Sequence, residues 1–323
     1  MKTLLLGLLL LLASFDSGLP ALAQDKQDKK PQAFTDPEKA GPDFQIQGEY
    51  EGEKAGAQVV ALGDDKFDVY LLAGGLPGAG WDAKTKTKLA AKTEGGKTAV
   101  SGKDWAGEIA DGVLSGPDGL KLKRVVRKSP TLGAKAPEGA VVLFDGTSGE
   151  EILAKGKPAT VVDGLIWANG TGGFFSKRKF GSMKLHVEFM LSYMPHARGQ
   201  GRANSGVYPA GRHECQVLDS FGLTGENNEC GGIYTIAKPS VNMCFPPLSW
   251  QTYDIEYHLA SGDKPAMMVS VLHNGVKIHE NIDLKKHTTS APDNGADDTP
   301  GPLHLQDHGN PVAYRNIWLV ELK

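Results

Sequence analysis

Apolar and polar residues alternate over short stretches in two regions of the chain, as they do in β-strands. In the first region, such stretches flank the turn sequences 63–66 and 115–119, which predicts two hairpins. In the second region, strand-like stretches recur from residue 141 to residue 322, and no long stretch has the 3.6-residue period of a helix. The 41 Gly and 19 Pro residues also favour short strands and turns. The pattern therefore predicts an all-β protein.

Polar segments divide this chain into domains. Residues 24–43 are charged and poor in apolar residues, which predicts a disordered linker, and residues 129–139 predict a second linker. Between them, residues 44–128 form a small β-rich accessory domain, which we interpret as a packing or spacer domain. Residues 140–323 hold regularly spaced strands that favour a two-sheet sandwich or jelly roll. All nine His residues fall in this second domain, so we expect any chemistry there.

The amino terminus has the features of a signal peptide, residues 1–23. Lys2 precedes an apolar run, and Ala21-Leu22-Ala23 offers small residues for cleavage. No later segment holds about 18 consecutive apolar residues, so we expect export to the periplasm or beyond, without a membrane anchor. The 35 basic and 38 acidic residues leave a net charge of −3, which gives no electrostatic reason to expect a nucleic-acid partner.

The expected oxidising compartment bears on the three cysteines. Cys230 and Cys244 lie in loop-like sequences, whereas Cys215 lies in a strand-like run, so we predict a disulfide between Cys230 and Cys244 with Cys215 free. Closing a loop of about 15 residues would stabilise the fold by roughly 3 kcal/mol. A zinc site built from all three thiolates is the alternative.

The strand-like run 213–219 separates two kinds of side chain. Residues alternate between the two faces of a strand, so Cys215 and Val217 share one face while Glu214 and Gln216 share the other. The polar face either floors a binding cleft or faces solvent.

Two further runs carry candidate chemistry. Asp254 and Glu256 would stand about 7 Å apart on one strand face, which is compatible with paired-carboxylate glycoside chemistry or with an ordinary solvent face. In the run 303–308, Gln306 and His308 share a face, and Gly309 suggests that the strand ends there, where His308 could face a ligand.

Short motifs run through the second domain in a defined order. They are Val142-Leu143-Phe144-Asp145-Gly146, Asn204-Ser205-Gly206-Val207-Tyr208, Glu214-Cys215-Gln216-Val217-Leu218-Asp219, Trp250 with Tyr253-Asp254, Asn274-Gly275, Gly301-Pro302-Leu303-His304-Leu305-Gln306-Asp307-His308-Gly309 and Tyr314-Arg315-Asn316-Ile317. As an ordered set they resemble the 3-keto-disaccharide hydrolase family, also described as 3-keto-glucoside lyases and 3-keto-glucal hydratases. The resemblance covers residues 140–323 and implies a concanavalin-like jelly roll whose concave sheet binds sugar.

The resemblance implies chemistry that needs a single base. Ordinary retaining glycosidases use two carboxyl groups about 5 to 5.5 Å apart, but Gln216 stands where the usual second acid would follow Glu214. In a 3-keto sugar the ketone acidifies the C2 proton, so one base can start an elimination. Our hypothesis assigns Glu214 as general base and His308 as acid or as ligand of a divalent metal ion. The expected substrate-binding residues are Asn204, Ser205, Gln216, Asp219, Gln306, Asp307 and Arg315.

We therefore expect an exported enzyme that cleaves 3-keto-glycosides by elimination at C1–C2, by hydration of the glucal, or by both. Its substrate would be a 3-keto-sugar or oligosaccharide, and it would need no nucleotide cofactor. A non-catalytic carbohydrate-binding module is the alternative, since it needs the same cleft but no poised base. A third hypothesis, a structural surface domain, predicts no sugar-dependent shift in melting temperature.

Overall fold

The computed structural model describes residues 32–262, 267–288 and 290–323. Strands dominate these residues, which confirms the all-β prediction. The predicted signal peptide and residues 24–31 of the first predicted linker lie outside the described residues. In the part of the chain that is described, no helix combines the length and the apolar character needed to cross a membrane.

The described end of the first predicted linker packs against the protein. Phe34 forms an isolated β-bridge with Tyr193, in which each backbone N–H donates to the other's carbonyl oxygen at 2.9 Å. A 3₁₀ turn (Pro37–Lys39) and helix α1 (Pro42–Ile46) follow. The rings of Phe34 and Phe44 lie 5.9 and 5.3 Å from the Tyr193 ring. Phe34 within the predicted linker and Phe44 directly after it therefore anchor this segment.

The first domain is a closed antiparallel barrel in which each strand pairs with the next and the eighth pairs with the first. Its strands are β1 (Gly48–Glu51), β2 (Ala55–Gly63), β3 (Lys66–Ala73), β4 (Lys86–Glu94), β5 (Lys97–Gly102), β6 (Trp105–Ala110), β7 (Val113–Ser115) and β8 (Lys121–Val125). Alternate side chains such as Val59, Phe67 and Leu114 fill the interior. Closure removes the exposed sheet edges that a small open sheet would present.

Turn residues decide where the barrel strands end. Asp64 and Asp65 have φ of 56° and 60°, as the two-residue turn of a twisted hairpin requires. The strand-like stretch before the turn sequence 115–119 covers residues 107–114, but the structure divides it at Asp111 and Gly112, with φ of 49° and 72°. Asp and Gly tolerate positive φ, so they form an additional hairpin that strand periodicity does not reveal.

The second domain is a sandwich of two antiparallel sheets. The strands of the six-stranded sheet are β10 (Ile152–Ala154), β11 (Lys157–Pro158), β13 (Phe174–Phe180), β15 (Ser205–Tyr208), β16 (Cys215–Val217) and β20 (Gly301–Leu305). Those of the seven-stranded sheet are β9 (Val141–Phe144), β12 (Ile166–Trp167), β14 (Met183–Leu191), β17 (Trp250–His258), β18 (Met267–His273), β19 (Val276–Leu284) and β21 (Val312–Glu321). The six-stranded order is β11-β10-β13-β20-β15-β16, and the other sheet runs β12-β21-β14-β17-β18-β19 with β9 beside β21.

Side-chain alternation places the core between the two sheets. Cys215 and Val217 of β16 are buried there, as are Tyr253, Ile255 and Tyr257 of β17. These are the faces that the period-two pattern predicts to be apolar. The opposite face of β16 is therefore the outer face of the six-stranded sheet.

The predicted disulfide between Cys230 and Cys244 is not formed, and all three cysteines are free, buried thiols. The Cys230 thiol lies 3.3 Å from the Tyr253 hydroxyl, while the Cys244 thiol faces the carbonyl oxygens of Leu218 and Phe245. Both thiols lie in the buried core of the sandwich, within hydrogen-bond reach of each other. The alternative zinc site is not supported either, since the described residues contain no group of three metal-binding side chains.

The second predicted linker lies against the seven-stranded sheet. The Ser129 hydroxyl lies 2.6 Å from that of Thr252, and the Thr131 hydroxyl donates to Asp254 at 2.7 Å. The Gly133 N–H donates to the buried carboxylate of Glu188. Because the connecting segment is held in this way, barrel and sandwich form one compact unit.

Candidate functional site

Five of the candidate site residues line one small pocket on the outer face of the six-stranded sheet. They are Asn204, Glu214, Gln216, Gln306 and His308, and the pocket has a volume of ≈ 70 Å³. Residue 204 precedes β15, residues 214 and 216 flank Cys215, and residues 306 and 308 follow β20. Because β20, β15 and β16 are neighbours in the sheet, these distant parts of the sequence meet.

Glu214 is a buried carboxyl group. Only 2% of the residue is exposed, and burial raises the pKa of its carboxyl to about 7, although a hydrogen bond with Tyr208 opposes part of this effect. The backbone around it is fixed, because the Glu214 N–H donates to the Thr288 hydroxyl at 3.0 Å and the Tyr234 N–H donates to the Glu214 carbonyl oxygen at 3.0 Å. Near neutral pH both protonation states are populated, which suits a group that must take up and release a proton.

Gly206 leaves the room that this carboxyl group occupies. It pairs with Gln216 across the β15–β16 ladder. A Cβ atom built on Gly206 would lie 2.5 Å from Oε1 of Glu214 and 2.9 Å from the Tyr208 ring. Any larger residue would therefore displace the carboxyl group.

Hydrogen-bond acceptors dominate the pocket. The side-chain nitrogens of Asn204, Gln216 and Gln306 donate to Gln200 or Tyr208 at 2.8 to 3.2 Å. Their side-chain oxygens, like Oε1 of Glu214, are buried and have no hydrogen-bond partner among the described residues. A buried unpaired polar group costs about 1 to 3 kcal/mol, so a ligand that donates hydroxyl groups would relieve that cost.

Three candidate residues are bonded inside the protein and do not line the pocket. The Ser205 hydroxyl donates to the Gln306 carbonyl oxygen and lies 2.6 Å from the Tyr314 hydroxyl. Asp219 pairs with Arg202 at 2.6 Å. Asp307 accepts backbone N–H groups of residues 172 and 309 at 2.9 and 2.8 Å, which holds the turn below His308. Their partners come from distant segments, which local sequence does not reveal.

Arg315, also a candidate, lies on the seven-stranded sheet. Its Nε donates to Glu188 at 2.7 Å, and its guanidinium group stacks 3.9 Å from the Trp250 ring centre. Burial alone would raise the pKa of Glu188, but the nearby His186 and hydrogen bonds from Asn316 and Arg315 lower it to about 2. The geometry therefore gives Arg315 a structural role in a buried ion pair.

A larger groove of ≈ 540 Å³ lies on the outer face of the seven-stranded sheet and includes the alternative carboxylate pair, Asp254 and Glu256. Each of these two carboxylates already has a histidine side chain as a partner. Asp254 lies 2.6 Å from Nδ1 of His186, and Glu256 lies 2.9 Å from Nε2 of His258. The hydrogen bond with His258 lowers the pKa of Glu256, so this carboxylate is not poised near neutral pH.

Gln200, Tyr234 and Ser290 also line the pocket, and sequence analysis missed them. All three lie outside the strands, where period-two alternation carries no information. The one available signal is the polar, glycine-rich stretch Arg198-Gly199-Gln200-Gly201-Arg202, whose composition is typical of a functional loop.

A divalent ion bound by His308 would need further charged ligands. His308 is exposed at the pocket rim, and Glu214 is the one carboxylate among the residues that line the pocket. The described residues contain no group of three His, Cys, Asp or Glu side chains that could hold an ion. The donor set therefore does not fit a His-based metal centre.

Comparison with known proteins gives one family match. The family model described as a 3-keto-alpha-glucoside-1,2-lyase-like domain matches residues 139–320. The crystal structure of a candidate glycosyl hydrolase from Parabacteroides distasonis ATCC 8503 is 30% identical, with a TM-score of 0.51, over 58% of this chain and 85% of that one. A second candidate glycosyl hydrolase from the same organism is 18% identical, with a TM-score of 0.44, over 58% and 95% of the two chains. No curated protein matches the chain.

Proposed function

Because the chain belongs to the 3-keto-alpha-glucoside-1,2-lyase-like domain family, we propose that its sandwich cleaves 3-keto-glycosides in the pocket around Glu214. The family and the 30% identical candidate glycosyl hydrolase support a carbohydrate-active enzyme that acts on glycosides. One observation carries the finer proposal. Glu214, a buried carboxyl group with a pKa of about 7, shares a cavity with His308.

The first step is an elimination. The ketone at C3 acidifies the proton on C2, and the Glu214 carboxylate removes it. The electron pair of the C2–H bond forms the C1–C2 double bond while the C1–O bond breaks. The leaving oxygen takes a proton from His308, so the products are a 3-keto-glucal and the free aglycone.

The second step adds water to the glucal. A water molecule attacks C1 after giving a proton to the imidazole of His308, and C2 recovers its proton from the Glu214 carboxylic acid. Both groups return to their starting protonation states, so elimination followed by hydration amounts to hydrolysis. The buried acceptors of Asn204, Gln216 and Gln306 would receive substrate hydroxyl groups and orient the ring.

The composition of the pocket argues against ordinary glycoside hydrolysis. That reaction uses two carboxyl groups, about 5 to 5.5 Å apart in retaining enzymes. Gln216 occupies the position two residues after Glu214, and Glu214 is the one carboxylate among the residues lining the pocket. A substrate that is already activated by its ketone needs no second carboxylate.

The substitution Glu214→Gln tests the proposal. We expect wild-type protein to release aglycone from a 3-keto-glucoside but not from the unoxidised glucoside, and to exchange the C2 proton in heavy water. Glu214→Gln should lower kcat for the 3-keto-glucoside by about a hundredfold or more, because it removes the base. Glu256→Gln, on the opposite sheet, is the matched control and should keep wild-type turnover.

Two outcomes would contradict the proposal. If Glu214→Gln retained wild-type turnover, Glu214 would not be the base. If the wild-type protein bound the 3-keto-glucoside without turnover or C2 exchange, the domain would be a carbohydrate-binding module.

A further inference from the structure

The barrel contacts the short segment that contains Gln200, and Gln200 lines the pocket. Gln200 lies in a 3₁₀ turn between Arg198 and Arg202. Nη2 of Arg198 donates to the Leu62 carbonyl oxygen at 2.8 Å, and both terminal nitrogens of Arg202 lie 3.3 Å from the Ala61 carbonyl oxygen. The barrel thus holds both ends of the Gln200 turn.

The end of β2 presents backbone carbonyl oxygens that can accept these hydrogen bonds. The β2–β3 register shifts between Ala61 and Gly63, a bulge-like irregularity that disrupts the ladder locally. Backbone carbonyl groups at that point are available to side chains from the sandwich. Arg202 is only 5% exposed and is also paired with Asp219, so its position is strongly constrained.

Gln200 in turn orients two amides of the pocket. Its Nε2 donates to the Asn228 backbone carbonyl oxygen at 2.8 Å. A backbone carbonyl can only accept, so this contact identifies the nitrogen end of the Gln200 amide. Oε1 of Gln200 therefore faces the other way, where it accepts from Nδ2 of Asn204 at 3.0 Å and from Nε2 of Gln216 at 3.2 Å.

A second backbone contact fixes the same arrangement independently. Nδ2 of Asn204 also donates to the Gln200 backbone carbonyl oxygen at 2.8 Å. Both amide nitrogens are thus turned toward Gln200. The oxygens Oδ1 of Asn204 and Oε1 of Gln216 remain buried and without a hydrogen-bond partner among the described residues.

We propose that Gln200 is a positioning residue that the barrel holds in place, and that it turns the carbonyl oxygens of Asn204 and Gln216 toward hydroxyl groups of the substrate. This inference rests on the proposed function. It specifies that the ligand is a neutral sugar that binds by donating its hydroxyl groups. It also makes the barrel a part of the site, beyond a packing or spacer domain.

A positioning role predicts a loss of binding without a loss of chemistry. Hydroxyl contacts remote from C1 and C2 contribute equally to the bound substrate and the transition state, so their loss raises KM and leaves kcat nearly unchanged. We expect Gln200→Leu to raise KM for a 3-keto-glucoside about tenfold, with kcat within about threefold of wild type. Gln200→Glu keeps the oxygen that accepts from Asn204 and Gln216 but loses the donor to the Asn228 carbonyl oxygen, so it should recover only part of the wild-type KM. Gln45→Leu, exposed in α1, is the matched control and should change neither constant.

A double-mutant cycle tests the link to the barrel. Arg198→Met should raise KM severalfold alone, but it should add nothing in the Gln200→Leu background, because both changes act through the same amides. Arg178→Met removes an exposed ion pair with Glu321, which joins β13 to β21, and should have no effect in either background.

Outcomes that overturn this inference differ from those that overturn the proposed function. Unchanged KM in Gln200→Leu, a fall in kcat at constant KM, or additive effects of Arg198→Met would refute the positioning role, even if Glu214→Gln is inactive. A fully active Glu214→Gln would refute the function. Calorimetric binding of the 3-keto-glucoside to Glu214→Gln, with and without Gln200→Leu, measures positioning where turnover is absent.

Discussion

The raised pKa of Glu214 predicts that a substitution which abolishes turnover also stabilises the protein. Burial opposes ionisation of this carboxyl group, so folded protein at pH 8 holds a charge that the unfolded chain would hold more easily. Glu214→Gln keeps nearly the same shape and carries no charge. The variant should therefore gain stability relative to wild type as the pH rises.

The size of this gain follows from the two pKa values. The carboxyl group titrates at about 7 in the folded protein against an ordinary value of 4.5. Each unit of difference is worth about 1.4 kcal/mol, so the complete effect is about 3 kcal/mol. Because the folded pKa is the higher one, wild type loses this stability as the pH rises from 4.5 through 7. The difference between variant and wild type should grow over that range and level off above it.

Urea unfolding at pH 5, 6, 7 and 8 measures the effect. With a slope near 3 kcal/mol per M, the midpoint of Glu214→Gln should rise by up to about 1 M relative to wild type. The pKa of Glu256 is lowered, mainly by its hydrogen bond with His258. Glu256→Gln should therefore be less stable than wild type above pH 4.5. A difference between Glu214→Gln and wild type that stays constant from pH 5 to pH 8 would refute the reasoning.

Three further predictions concern activity and packing. The kcat/KM for a 3-keto-glucoside should rise about tenfold per pH unit on the acidic side of about 7, because only ionised Glu214 accepts the C2 proton, and a flat profile there would count against it. Gly206→Ala should lower kcat at least about tenfold by displacing the Glu214 carboxyl, and should destabilise the fold by about 1 to 3 kcal/mol in urea unfolding. Arg315→Met should lower the free energy of unfolding by about 2 kcal/mol, because it leaves buried Glu188 without its guanidinium partner. The loss stays at this level because Arg315 itself is partly exposed. Turnover of the folded Arg315→Met protein should stay at the wild-type level, whereas Arg178→Met should change neither quantity.

Several of the expected substrate-binding residues have hydrogen-bond or ion-pair partners within the protein. Ser205, Asp219 and Arg315 are polar residues within the ordered motifs, yet Tyr314, Arg202 and Glu188 satisfy them. The sequence around a polar residue does not show whether its partner is a ligand or another residue.

The amino-acid sequence by itself determined the all-β class, the separation of two β regions along the chain, and which face of β16 is polar and which is apolar. These follow from period-two alternation and turn residues, which are local properties of the backbone. Only the tertiary structure decided that β20, β15 and β16 lie side by side and bring Asn204, Gln306 and His308 to Glu214. It also raised the pKa of Glu214, because desolvation depends on segments distant in the sequence that cover the carboxyl group.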